Sequence, residues 1–196
     1  MMKKLTIIIT ALTLITIPIS SFAEKKTALS WYIGFGVGSG ISFGEGEAFY
    51  EEGDTIAVPL VLNFGVGFPV AGPLTLGFDY ISFSHFADYS VNDKEETRVL
   101  SIDNFYVALM YFPGGNRFFL KGALGWSYLG DWEYDFIDST ATFYGGPGIT
   151  AGTGYFFPLG ETLNLGLHLE YSRAWFGSGP YEYTDMGVLY VSLYWL

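Results

Sequence analysis

The chain has 196 residues, no Cys and a formal net charge of −11. Half of it is hydrophobic, 19% is aromatic and only 15% is charged, which excludes a disordered chain and a disulfide-stapled one. The acidic balance argues against nucleic acid as a partner.

Residues 1–23 read as an export signal. MMKK is a basic start, LTIIITALTLITIPI is an apolar core too short for a spanning helix, and Ser21-Phe22-Ala23 offers small residues before a cleavage point. The remainder, 24–196, is long enough for one domain. An exported domain without disulfides needs a large core or a membrane to hold it.

The first expected strand covers 29–43. Its GFGVGSG run at 34–40 is rich in glycine, but no helix follows, so a nucleotide site is not expected there. The second covers 55–68, TIAVPLVLNFGVGF. Ile56, Val58, Leu60, Leu62, Phe64, Val66 and Phe68 share one parity, while Thr55, Ala57, Pro59, Val61, Asn63, Gly65 and Gly67 share the other. A period of two means a strand with one greasy face and one small or polar face. The uncharged stretch between Asp54 and Asp79 is no membrane helix, because three prolines and four glycines interrupt it and its period is a strand's.

Further strands are expected at 74–86, 99–112, 118–136, 140–157, 162–172 and 186–196. In 118–136 one parity carries Phe118, Leu120, Leu124, Trp126, Tyr128, Trp132, Tyr134 and Phe136. That run is longer than a bilayer requires, so the strand is expected to project as an extended hairpin with 139–146. In 162–172, Leu163, Leu165, Leu167, Leu169 and Tyr171 alternate with Asn164, Gly166, His168, Glu170 and Ser172.

The links between these eight strands alternate strictly. PVAGP, PGGN and PLGE are short; GEGEAFYEEGD, ADYSVNDKEETR, GDWEYDFID and GSGPYEYTD are long and acidic. Each short link follows a Phe-Pro pair, at Phe68, Phe112 and Phe157, a dipeptide that composition alone would supply roughly 0.7 times. The spacings of 44 and 45 residues mark a repeat of strand, long link, strand and tight turn. The sequence thus describes an up-and-down meander with two unlike ends. Each Phe is expected in an aromatic girdle, with Pro ending the strand and Gly reversing the chain.

A soluble barrel would turn the small and polar face outward. Here that face suits the interior instead, since eight strands enclose only enough space for side chains, and a Leu- and Phe-rich exterior suits lipid. With its export signal, four long links alternating with three short ones and terminal strand MGVLYVSLYWL, the chain resembles the small eight-stranded outer-membrane β-barrels of the OmpX/OmpA type. Gly187, Tyr190 and Tyr194 match the spacing of that family's last strand, although the chain ends Trp195-Leu196 where the family ends in Phe or Trp. The resemblance implies a transmembrane antiparallel barrel in the bacterial outer membrane. It also implies outer-membrane lipid as surroundings and the barrel-assembly machinery as a partner during insertion.

Two constellations stand out. Asp79, Lys121, His168 and Glu170 share the lumenal parity and are expected to form an ion-paired cluster plugging the barrel; a gate or proton path is the alternative. Asp131, Glu133 and Asp135 alternate along the projecting strand as an acidic mouth, with extracellular cations or a host ligand as candidate partners and plain solubility as the simpler reading. His85, in SFSH at 82–85, is the best candidate for a rim catalyst, but sequence alone places no Ser or carboxylate partner for it. No metal-ligand spacing, cofactor motif or nucleophile elbow is present. The expected protein is a monomeric, non-enzymatic surface barrel with no cofactor; a narrow channel and a lipid-modifying enzyme are the alternatives.

Overall fold

The computed structural model describes residues 31–46, 55–56, 59–91, 94–115, 117–134, 139–177 and 181–195. The expected export signal at 1–23 lies outside the described residues. The described chain is almost all strand: β1 (Tyr32–Gly46), the two-residue β2 (Thr55–Ile56), β3 (Leu60–Ala71), β4 (Leu74–Val91), β5 (Lys94–Tyr111), β6 (Phe118–Tyr134), β7 (Ser139–Pro158), β8 (Leu163–Trp175) and β9 (Tyr181–Trp195). Neighbouring strands pair antiparallel in chain order. Ile33 opposite Trp195 through Gly46 opposite Tyr181 then joins the first long strand to the last. Eight long strands therefore close into a barrel, which leaves no strand unpaired around its girth.

Parity is maintained from strand to strand. On β8 burial alternates residue by residue, with Leu167, Leu169 and Tyr171 turned out and His168, Glu170 and Ser172 turned in. The exterior is a belt of Leu, Val, Ile and aromatic side chains, among them Val37, Leu62, Val107, Leu124 (68% exposed) and Leu189. A soluble protein does not present so continuous an apolar surface to water.

The tight turns gather at one end. Gly72 and Gly114 adopt positive φ, 48° and 65°, and glycine enters that region without the steric cost that other residues meet. Gly114 breaks the short turn Pro113–Gly115 with this left-handed backbone. Pro158 ends β7 and Pro113 follows β5, but Pro69 does not stop its strand. β3 continues to Ala71 through a register shift between Pro69 and Ala71.

The girdle expectation needs one correction. Phe68 and Phe157 do face outward, half-exposed, but Phe112 is buried among lumenal rings and Tyr111 takes the outward position instead. Parity on β5 decides this: Phe105, Val107, Leu109 and Tyr111 face out, while Tyr106, Ala108, Met110 and Phe112 face in. Both faces of β5 are apolar, so its alternation carries little sign of which is which.

A second correction concerns the acidic links. Most of ADYSVNDKEETR is strand, since β4 and β5 stay paired to Val91 opposite Lys94. β6 and β7 stay paired to Tyr134 opposite Ser139, the extended hairpin that the parity of 118–136 leads one to expect. The barrel therefore carries a four-stranded extension, β4–β5–β6–β7, at the end away from the tight turns. The second expected strand is also split: Thr55–Ile56 pairs with Asp88 and Ala87 of β4, and β3 proper begins only after Pro59.

Replacing Phe112 by Ala is expected to lower the unfolding free energy by about 3–5 kcal/mol, as for a buried aromatic, whereas Phe157→Ala should cost clearly less. Urea titration of the two variants in the same micelles measures the difference. Equal losses would place Phe112 on the outside.

Candidate functional site

Three layers of side chains fill the lumen. At the tight-turn end lies an aromatic floor of Tyr32, Met110, Phe112, Phe119, Phe156 and Tyr194. Its rings touch in sequence: Phe119 stacks on Phe156 at 5.1 Å, Phe156 meets Tyr194 edge-on at 4.8 Å, and Tyr194 meets Tyr32 at 5.2 Å. Such contacts add about 0.5–1.5 kcal/mol each beyond simple burial.

Above the floor sits the charged layer. Lys121 projects from β6 and Nζ donates to both oxygens of Glu170, at 2.8 and 2.9 Å. The same ammonium pairs with Asp79 of β4. All three side chains are buried. Their meeting depends on a gap in the wall. Lys121, Gly152 and Glu170 occupy one register row on β6, β7 and β8, so the lysine crosses a residue with no side chain to reach the glutamate. A Cβ at Gly152 would stand 2.6 Å from Glu170 Cγ. Tyr190 Oη donates to Glu170 Oε1 at 2.5 Å. His168 lies flat on the Tyr190 ring, centroids 4.4 Å apart and planes 9° from parallel, and its Nε2 is 2.8 Å from Ser192 Oγ. His168 Nδ1 is 3.6 Å from Glu170 Oε1, too long for a hydrogen bond.

A neutral network adjoins the charges. Ser127 Oγ and Tyr106 Oη both donate to Asn104 Oδ1, at 2.7 and 3.0 Å, and Asn104 Nδ2 donates to the Ile81 carbonyl. Over both networks lies an apolar plug that includes Val61, Ile81, Phe83, Leu100, Ile102 and Leu129. Buried charge is costly unless its partners are complete. The plug and the floor exclude the water that would otherwise compete for the Lys121 bonds.

The structure thus brings Asp79, Lys121 and Glu170 into direct contact and places His168 at their edge through Tyr190. Sequence inspection missed Tyr190 and Ser192. Both stand on the lumenal parity of β9, two residues apart, and that parity was the available signal. Ser192, His168 and Glu170 follow the contact order of a hydrolytic triad. Yet Ser192 is 2% exposed, sealed between the ring floor below and the apolar plug above, and Lys121 and Tyr190 occupy the Glu170 oxygens. His85 is buried beside Phe83 rather than standing at the rim.

Of the acidic mouth, Asp131 is half-buried on β6 opposite Thr142 and Leu100. Glu133 stands opposite Thr140 in the register, with its side chain outside the described residues, and Asp135 lies outside them altogether. Asp185, which the sequence places at the edge of a loop, is on β9. It is buried on the outer wall, held by Arg173 through bonds of 2.6 Å to each oxygen and by Tyr171 Oη. Arg173 also lies over the Tyr183 ring, 4.6 Å from its centroid. Among the described residues, no three His, Cys, Asp or Glu side chains are grouped to hold a metal.

No family model and no curated protein matches the sequence. Solved structures do resemble the fold. Neisserial surface protein A is similar with a TM-score of 0.56 at 12% identity, over 87% of this chain and 99% of that one. The attachment invasion locus protein Ail of Yersinia pestis is similar with a TM-score of 0.53 at 9% identity, over 85% and 100%. Ail in complex with the heparin analogue sucrose octasulfate gives 0.57 at 8% identity, over 85% and 99%. The chain has the fold of these small eight-stranded outer-membrane β-barrels.

Lys121→Met should leave Asp79 and Glu170 buried without a cation and lower the unfolding free energy by about 3–5 kcal/mol. The triple replacement Lys121→Met, Asp79→Asn, Glu170→Gln should recover most of that loss. Urea unfolding with heat-modified gel mobility measures both; an unchanged midpoint for the single variant would show that the cluster contributes nothing.

Proposed function

We propose that this protein is a non-enzymatic barrel of the bacterial outer membrane. In this reading it is a rigid, non-conducting support that holds an extracellular sheet and its acidic links above the lipid. The observation that carries the reading is the filled lumen, in which an ion-paired layer lies between a ring-packed floor and an apolar plug. A channel needs a continuous polar path and an enzyme needs a reachable nucleophile; the packing of the described lumenal side chains supports neither. The apolar exterior supports a lipid setting, because a closed barrel satisfies every backbone group without water. Between Tyr111 and Phe105 on β5, and between Trp195 and Leu189 on β9, the outward positions are uncharged. Beyond them stand the outward carboxylates Asp103 on β5 and, after Gly187, Asp185 on β9, where the apolar belt gives way to charge.

In this reading residues 1–23 are removed on export, the tight turns face the periplasm and the four-stranded extension faces outward. The protein enters through the barrel-assembly machinery and stays a monomer without cofactor.

Purified protein in a planar bilayer should give no stepwise conductance, and Lys121→Ala should not open it, since the floor and plug remain. Stable unit conductance from the native protein would favour the channel. On intact cells, Cys placed at Asn92 or Glu182 should react with an impermeant thiol reagent and Cys at Gly115 should not. The reverse pattern would invert the orientation.

A further inference from the structure

The two outward carboxylates at the top of the apolar belt are compensated differently. Asp185 on β9 is held by the Arg173 guanidinium, 2.6 Å to each oxygen, so its charge is met within the wall. Asp103 on β5 accepts one hydrogen bond among the described residues, from Tyr80 Oη to Oδ1 at 2.7 Å. Among those residues it pairs with no Lys, Arg or His. The phenol uses one lone pair and brings no charge, which leaves Oδ2 and the negative charge to another partner.

Rings border Asp103 beside and below. Tyr128 of β6 stands opposite it in the register, and Phe105 is the next outward residue below it on β5. These two rings have centroids 6.0 Å apart and planes 81° from parallel, so they form a corner, and Tyr80 packs on Phe105 at 5.0 Å. Phe105 is 40% exposed and Tyr128 46%, so neither ring is covered. The other neighbours are Ser82, opposite on β4, and Ser101, the next outward residue above; both are too short to close over the carboxylate. Aromatic faces carry negative potential, and a cation over them is attracted. A carboxylate beside a corner of rings therefore suits an ammonium group and repels a phosphate.

We propose that Asp103, Tyr80, Phe105 and Tyr128 form a seat for the ammonium group of a membrane amphiphile, whose hydrocarbon chain lies down the apolar belt beneath. The inference rests on the membrane-barrel reading, because that reading puts Asp103 at the level where lipid hydrocarbon gives way to head groups. Charge complementarity selects the head. The uncompensated carboxylate and the ring faces both attract a cation, and both attractions strengthen where water is scarce. Position selects an amphiphile over a free cation. The outward residues next below Phe105, Val107 and Leu109, are apolar and exposed, and an alkyl chain attached to the ammonium covers them. Asp185 makes no second seat, because Arg173 already stands in the cation's place.

The test titrates the full-length barrel, in neutral maltoside micelles, with dodecyltrimethylammonium. Dodecyl sulfate supplies the same chain with the opposite charge, and tetramethylammonium the same head without a chain. The expected result is saturable NMR shifts at Asp103, Phe105 and Tyr128, with NOE contacts from the N-methyl protons to both rings and no shift at Arg173 or Asp185. Tetramethylammonium should bind about tenfold more weakly, because it lacks the chain's contact with the belt. Asp103→Asn keeps the Tyr80 bond but removes the charge, and Tyr128→Leu removes one ring; each should weaken binding by about tenfold. Both positions lie on the outer wall, so the spectrum of the lumen should not change. Equal shifts from dodecyl sulfate, shifts spread evenly round the belt, or unchanged binding in Asp103→Asn would overturn the proposal. So would equal binding of tetramethylammonium, which would mark a site for a free cation, or the absence of any shift. In each of these outcomes an intact barrel spectrum and the absence of conductance would leave the membrane-barrel reading standing.

Discussion

A closed sheet of eight strands has an interior no wider than its own side chains, and this constraint governs the rest of the molecule. Every inward residue must fit against its opposite neighbours, and every charge brought inside must find its counter-charge there. Lys121 meets that requirement by reaching carboxylates on two other strands, Asp79 on β4 and Glu170 on β8. The bare wall at Gly152 makes the reach to Glu170 possible. The large rings of Tyr190 and Tyr194 fit because β1 opposite them carries glycine: a Cβ at Gly34 would stand 2.5 Å from the Tyr194 ring, and one at Gly36 2.9 Å from the Tyr190 ring. The glycine-rich run at 34–40 is therefore explained by packing.

The same closure divides the protein into a sealed lower part and an open upper part. Below, each long strand pairs with both neighbours and side chains pack the lumen in layers. Above, four strands continue as an ordinary sheet, and an ordinary sheet has edges.

Much of the fold was legible in the sequence, because parity is a strong signal wherever one face is apolar and the other small. β3 and β8 are such strands. The lumenal set Asp79, Lys121, His168 and Glu170 followed from the same parity. The signal failed at Phe112, where both faces of β5 are apolar and the repeated Phe-Pro pair was weighted over alternation. It failed again in the links. Runs such as DYSVNDKEETR have no greasy face to mark a strand, yet their backbone stays paired as strand. Asp185 misled for a related reason: a carboxylate is expected in water, and only the fold shows that Arg173 and Tyr171 hold it on the wall. Tyr190 and Ser192 were missed because a tyrosine and a serine in a terminal strand look alike on either face until the barrel is closed.

The central claim is that Lys121 is a sealed, permanently paired cation rather than a lysine lining a water-filled bore. Nitrogen-detected NMR of the lysine side chains, on ¹⁵N-labelled protein in micelles at neutral pH, tests it most directly. The account predicts that one ammonium signal persists, protected from exchange with water, and is lost in Lys121→Met. If every lysine ammonium exchanged as fast as an exposed one, water would have free access to Lys121, and the sealed lumen would be contradicted.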